Sequence, residues 1–352
     1  MTNSPNPITP STTRRRIAVI GAGVAGSAAA RALHDHGHHV TLFDKGRGPG
    51  GRASTRRTDD HRFDHGAQYF TARDPQFKRL VESWIHEGAA AEWTARFIHL
   101  TENGPATSPN EPRYVGVPAM NRIVAHLQCD LNIHFNRRVA SIDREANNWR
   151  LAFEDNSTES EFDALILAAP APQSAALLED VAPELAVQAR SATMKTCWAA
   201  MLAFDEPLPL DFDAARVETN CPLTWIARDA SKPHRADAET WILHASPEWS
   251  EQNLESSAES AARTLTAAFF DCVDIKTRTP RFSAAHRWRH ALVDRPVGQP
   301  TLFDPALNLA CCGDWLIGPR IESAFLSGSA AAGRILAALT ESPSTQHTRL
   351  SN

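Results

Sequence analysis

The chain has 352 residues, 42% hydrophobic and 22% charged, with a formal net charge of −5. That length and apolar content suffice for a large core divided over two domains. The charge balance leaves no footprint for nucleic acid or an acidic membrane, and no window approaches the ~18 apolar residues of a membrane helix.

Residues 1–13, rich in Ser, Thr, Asn and Pro, predict a disordered arm, and residues 341–352 a disordered tail. Arg14-Arg15-Arg16 is followed by Ile17-Ala18-Val19-Ile20, an apolar run that reads as a strand. Next come Gly21-Ala22-Gly23-Val24-Ala25-Gly26 and an alanine-rich helix predicted from Val24 to about His36. Strand, tight turn and helix in this order form a dinucleotide fingerprint. Gly21 permits the turn, Gly23 leaves room for a pyrophosphate, and Gly26 lets helix and strand pack closely. The helix N-terminus then offers N–H donors and a positive dipole end to phosphates. The three arginines are not read as an export signal, because cleavage beyond them would destroy this turn; a cytoplasmic setting is expected.

Gly37 is expected to end the helix, and Val40–Asp44 reads as a second parallel strand. Asp44 stands where an acid meets an unphosphorylated ribose. The loop Lys45–Arg52, dense in glycine and arginine, suits a second stretch of pyrophosphate, as a bent FAD requires. Phe63–Phe70 mixes polar and aromatic residues that suit a wall beside an isoalloxazine ring. No second glycine fingerprint follows, so any nicotinamide must reach the flavin as a substrate rather than in a module of its own.

Further along, Val139–Ile142 and Trp149–Phe153 read as consecutive strands, and Phe162–Ala169 as one buried strand closing at Pro170. Alternating segments at Cys197–Phe204, Trp225–Arg228 and Trp241–His244 predict an antiparallel sheet, with a helix over Leu254–Phe270. Leu307–Cys312 is expected to be the last strand of the cofactor domain and Glu322–Leu339 the last long helix. The fold class is α/β, an FAD-binding Rossmann-like domain with a second, mainly antiparallel-β substrate domain. The expected division gives 14–84, 129–185 and 290–340 to the first, 85–128 and 186–289 to the second.

The six cysteines show neither metal-type spacing nor a disulfide framework, so no metal is expected and a reducing compartment is. Cys311-Cys312 reads as two buried strand residues rather than a redox switch. Gly313-Asp314 places a carboxylate at the carboxyl end of the sheet, where it can accept from ribityl hydroxyls. The helix from Glu322 aims its N–H groups at the pyrimidine edge of a flavin.

On these residues, and most specifically on Asp44–Arg52, Asp64–Arg73, Trp241–Trp249, Ala285–Trp288 and Cys312–Leu326, the chain resembles the bacterial renalases. These belong to the flavin amine oxidase superfamily, with its p-hydroxybenzoate-hydroxylase-like fold. The resemblance implies non-covalent FAD in contact with Ala22, Ala25, Asp44, Lys45, Gly51, Arg52, Gln68, Tyr69, Phe70, Val139, Asp314, Glu322, Ser323 and Ala324. Superfamily members usually carry Glu at the Asp44 position and many carry Gly at Ser323; the shorter acid still reaches a ribose.

The resemblance also implies an activity: oxidation of 2- or 6-dihydro isomers of NAD(P)H to NAD(P)+, with electrons passing to O2 as hydrogen peroxide, a metabolite repair. Hydride loss from a dihydropyridine gives an aromatic ring directly, so positioning matters more than a strong base. Gln68, Trp225, His244, Arg287 and Trp288 are the candidates for that positioning. The aromatics offer stacking walls, Gln68 or His244 a carboxamide partner, and Arg287 with Arg289 a phosphate partner. The alternatives are an amine oxidase, for which Lys195 is the midchain lysine available, and a non-catalytic FAD-binding protein. A lipid desaturase fits poorly with the many charges of the substrate domain.

Overall fold

A β-branched run near the start of the chain and apolar runs near its end meet in one six-stranded sheet. In the computed structural model, which describes residues 14–107, 111–236 and 238–341, its order is Leu302–Asp304, Leu309–Cys311, Ala164–Leu167, Arg16–Ile20, His39–Phe43 and Asn132–His134. The pairs are parallel except the first. Ile17–Val19 and Ala164–Leu167 are wholly shielded from solvent, as strands covered on both faces must be. Helices Val24–Asp35 and Ile321–Glu341 cover one face. They pack closely at Gly328, where an added Cβ would fall 2.1 Å from the Ala25 carbonyl oxygen. A three-stranded antiparallel sheet, Val139–Glu145, Asn148–Phe153 and Thr158–Phe162, covers the other face with helices Ala171–Leu178 and Pro183–Arg190.

The single strand expected over Phe162–Ala169 is two. Phe162 ends a strand paired with Asn148–Phe153, and Ala164–Leu167 enters the parallel sheet. Asp163 marks the crossing: its carboxylate accepts from the Arg16 amide at 2.8 Å and from Arg15 at 3.2 Å.

The second large sheet has seven strands, ordered Phe282–Arg295, Thr193–Phe204, Glu239–Ala245, Leu223–Arg228, Ala214–Glu218, Phe97–Thr101 and Gly104–Thr107. Side chains alternate across it. Trp198, Ala200, Leu202, Trp241, Leu243 and Ala285 pack under helix Ala258–Cys272. Met201, Ala203 and Ile242 face the opposite way, onto Phe63. The helix expected from Leu254 starts later because Ser257 caps it, accepting from the Ser260 amide at 3.1 Å; a short helix, Pro247–Gln252, precedes it. The arm over 1–13 and the tail from 342 lie outside the described residues, and Glu341 ends the last helix. No helix among the described residues is long and apolar enough to cross a membrane.

Candidate active site

The glycine turn is built to exclude side chains. Gly21 has φ +104 and donates its amide to the Phe43 carbonyl at 2.8 Å, and a Cβ there would fall 2.8 Å from the Ala168 carbonyl oxygen. At Gly26 a Cβ would lie 1.9 Å from the Gly21 oxygen, so helix and strand could not approach as they do. Gly23 caps the twelve-residue helix with no side chain bonded to its first amides. Gly51, at φ +55, brings the second glycine loop over that helix end; a Cβ on it would meet the Gly23 Cα at 3.2 Å. Asp44 ties the two loops, accepting from the Ala22 amide at 2.7 Å and the Gly46 amide at 2.6 Å. Each oxygen keeps a lone pair for a hydroxyl donor.

Arg52 and Asp314 close the opposite side. The guanidinium grips the carboxylate with two parallel bonds, Nη1 to Oδ2 at 2.8 Å and Nη2 to Oδ1 at 2.6 Å. Such a fork fixes both side chains in direction as well as distance.

The inner face of the seven-stranded sheet supplies an aromatic wall. Trp288 donates Nε1–H to the His65 carbonyl at 3.0 Å, and its ring lies 4.4 Å from His286 and 5.1 Å from His65. Trp225 and His244 stand opposite each other on adjacent strands, with Tyr69 at 5.5 Å from Trp225. Three buried ring nitrogens here have no partner within the protein: His65 Nδ1, Trp225 Nε1 and His244 Nε2.

These histidines stay neutral. Burial, with His286 nearby, pulls His65 down to about 3, and burial pulls His244 down to about 4 against the raising effect of its hydrogen bond to the His65 backbone. Their folded pKa values lie below the unfolded value of 6.5, so the unfolded chain binds more protons between those limits. Stability is therefore full above about 6.5 and is lost as pH falls toward the folded values, by about 2 kcal/mol per histidine at roughly pH 5. Urea titrations at about pH 7.5 and pH 5 should show this drop, and His244→Asn should remove roughly half of it; an unchanged drop would refute the assignment.

Beneath this wall lies a cluster of fully buried charges. Lys232 Nζ bonds Asp229 at 2.5 Å, Gln68 Oε1 at 3.3 Å and Asp64 at 3.5 Å, and Arg235 bonds Asp64 at 2.6 Å. Thr55 and the Met120 amide also donate to Asp64, at 2.6 and 3.0 Å. Sequence reasoning missed Asp64, Asp229, Lys232 and Arg235 as a group. Asp229–Arg235 is a short polar segment with Pro233, and such segments read as exposed turns.

Residues 19–84 match the NAD(P)-binding Rossmann-like domain, and residues 87–336 match the family described as flavin containing amine oxidoreductase. The second match covers more than half of the chain. The chain belongs to the flavin-containing amine oxidoreductase family. A protein from Exiguobacterium sp. 255-15, provisionally named a protoporphyrinogen oxidase, is similar in structure with a TM-score of 0.76 at 14% identity, over 94% of this chain and all of that one. Putrescine oxidase bound to putrescine is similar with a TM-score of 0.69 at 12% identity, over 92% of this chain and 99% of that one. At these identities the likeness is one of fold.

Curated relatives match over segments. A 4-hydroxybenzoate brominase (decarboxylating) of Marinomonas mediterranea is 26% identical over 157 residues, 44% of this chain and 26% of that protein. A 4,4'-diapophytoene desaturase of Staphylococcus aureus is 49% identical over 51 residues, 14% of this chain and 10% of that protein. The matched segments thus span 26% and 10% of these relatives' length.

FAD is the cofactor of this flavin family, and the cradle fits it. The uncapped helix end at Gly23, the Cβ-free approach of Gly51, and the Asp44 and Asp314 carboxylates are the groups that would hold pyrophosphate, ribose and ribityl chain. Ala22 is buried in the glycine turn and Ala25 in the first turn of the helix, Val139 packs against the core beside the parallel sheet, and Lys45 reaches Gln173 at 3.3 Å.

Several expected contacts point elsewhere. Glu322 accepts from the amides of Arg73 and Asp74 at 2.6 and 2.7 Å, so it braces a neighbouring loop; Ser323 is buried and Ala324 packs between two core clusters. The Phe70 ring turns into the core against Phe77 and Trp84. Gln68 donates both amide hydrogens inward, to the Asp64 and Gly66 carbonyls, and accepts from Lys232, which makes it a strut rather than a free carboxamide partner. Arg287 lies on the outer face over Trp198, bonded to the Leu254 carbonyl and to Glu255, and Arg289 also pairs with Glu255. Lys195 pairs with Asp294 at the surface.

Proposed function

We propose that the protein is an FAD-dependent oxidase acting on 2- or 6-dihydro isomers of NAD(P)H, as bacterial renalases do. One observation carries the reading. Trp225 Nε1–H is a buried donor and His244 Nε2 a buried acceptor, both without a partner in the protein and on directly opposed residues of adjacent strands. In the neutral tautomer that carries its proton on Nδ1, His244 keeps the Nε2 lone pair free to accept. One donor and one acceptor side by side match the C=O and NH2 of a nicotinamide carboxamide.

The chain's own residues then do the positioning. Trp288, His286 and His65 form an aromatic wall beside the ring, and the low proton affinity of the two histidines keeps cationic charge away from a ring that becomes a pyridinium. Arg56, exposed and without an ion pair among the described residues, lies close enough to His65 and His286 to disfavour their protonation. It is the candidate partner for the substrate's phosphates, in place of Arg287 and Arg289. FAD held in this cradle would supply the two-electron acceptor, with O2 as the final acceptor and hydrogen peroxide as the product. Residues 14–84, 129–185 and 290–340 serve as the cofactor domain in this reading, and 85–128 with 186–289 as the substrate domain.

The second reading, an amine oxidase, draws support from the family and from the tilted Tyr69–Trp225 pair. Anaerobic mixing of the yellow protein with each reductant separates the two. Fast bleaching by 2- or 6-dihydro isomers, slow bleaching by ordinary 4-dihydro NADH and by amines, and a dissociation constant raised ~10-fold in Arg56→Ala by loss of a charge-assisted contact are expected. Bleaching by amines alone would overturn the reading.

A further inference from the structure

Two cysteines outside the site stand together. Cys221 sits on the turn between strands Ala214–Glu218 and Leu223–Arg228, and Cys272 is the last residue of helix Ala258–Cys272. Both pack against the same core cluster, and each thiol is the other's leading electrostatic neighbour. Cys221 Sγ also lies 3.9 Å from the carbonyl oxygen of Ala268, one helical turn before Cys272. Both are half-buried, so a small oxidant can reach them.

We infer that Cys221 and Cys272 form a reversible disulfide when the protein meets a hydroperoxide. The neighbouring Cys272 thiol pulls Cys221 down to about 7 while Cys272 itself is pushed up, which assigns the roles: Cys221 attacks, Cys272 resolves. In the first step the Cys221 thiolate attacks the peroxide; an S–O bond forms, the O–O bond breaks, and the departing alkoxide or hydroxide takes a proton. In the second the Cys272 sulfur attacks the sulfenic sulfur; the S–S bond forms, the S–O bond breaks, and water leaves with the thiol proton. Two thiols are oxidised and one hydroperoxide is reduced.

The remaining cysteines are worse placed. Burial pushes Cys197 and Cys311 up to about 12 and Cys312 also upward, and Cys311 and Cys312 pack into cores on opposite sides of their strand. Cys129 is exposed. The disulfide would tie the turn that leads into the Trp225 strand to the helix behind it, so its natural effect is to stiffen one wall of the aromatic face.

The test uses the full-length FAD-loaded protein treated with one equivalent of hydrogen peroxide, then alkylated under denaturing conditions and mapped without reduction. Expected are a peptide joining Cys221 to Cys272, loss of two of the six alkylatable thiols, and recovery of both with dithiothreitol. In Cys272→Ser, Cys221 should stop at a sulfenic acid that dimedone traps; far-UV circular dichroism and flavin content check that this variant is folded. Oxidation of Cys129 with Cys221 and Cys272 still alkylated, or overoxidation of Cys221 without a cross-link in the unmutated protein, would overturn the inference.

Discussion

Asp314→Ala is expected to release FAD. Asp314 is 10% exposed and Arg52 30% exposed, and the fork between them joins the second glycine loop to the end of the last parallel strand. Removing the carboxylate leaves the Arg52 guanidinium half-buried and uncompensated, and removes the acceptor proposed for the ribityl hydroxyls. A hydrogen-bonded partly buried charge is worth about 1.5–3 kcal/mol, hence a weakening of FAD binding by at least ~10-fold. The flavin-to-protein absorbance ratio after gel filtration measures it, with reconstitution titrations for the dissociation constant. Full flavin content in the variant would show that Asp314 does not hold the cofactor. Asp314→Asn, which keeps one acceptor but loses the charge, should fall between.

Lys232→Met should unfold the protein more readily than any surface change. It removes the cation shared by Asp229, Asp64 and Gln68 in a region with no solvent access. Breaking a buried pair on one side costs about 3–5 kcal/mol, because the surviving carboxylates stay buried. The double variant Lys232→Met with Asp229→Asn should recover part of the loss, since Asp64 keeps Arg235, Thr55 and the Met120 amide. Urea midpoints for the three proteins decide the matter, and equal midpoints would mean that the cluster contributes nothing. Burial alone pushes Asp64 up, but Lys232 and Arg235 overcome it and hold the carboxyl at about 2. Because that lies below its unfolded value of 3.8, the stabilisation is present above about 3.8 and is lost as pH falls toward 2.

What could be read from the residues was what local chemistry determines. Gly21–Gly26, Asp44 and the strands around them depend on turn geometry and short-range periodicity, whereas the sheet order, with Leu302–Asp304 and Asn132–His134 at its edges, depends on pairings between segments far apart. Arg287 and Trp288 show the limit. Neighbours on a strand point to opposite faces, so both could not line one pocket, but only the pairing with Thr193–Phe204 decides which does. Glu322 and Gln68 are polar residues in the expected place, yet Glu322 bonds amides of a loop distant in sequence, and Gln68 turns inward to carbonyls of its own loop and to the remote Lys232. The Lys232 cluster left no trace in composition because burial of a charge depends on what closes over it.

The Arg52–Asp314 fork spans 262 positions of the chain. Its two halves emerge from a ribosome far apart in time, and the strand Ala164–Leu167 that lies between them in the sheet is made midway. A nascent chain still short of Asp314 therefore has only an open cradle. On the role proposed for Asp314, a chain interrupted before that residue lacks half of the cradle and is expected to emerge colourless.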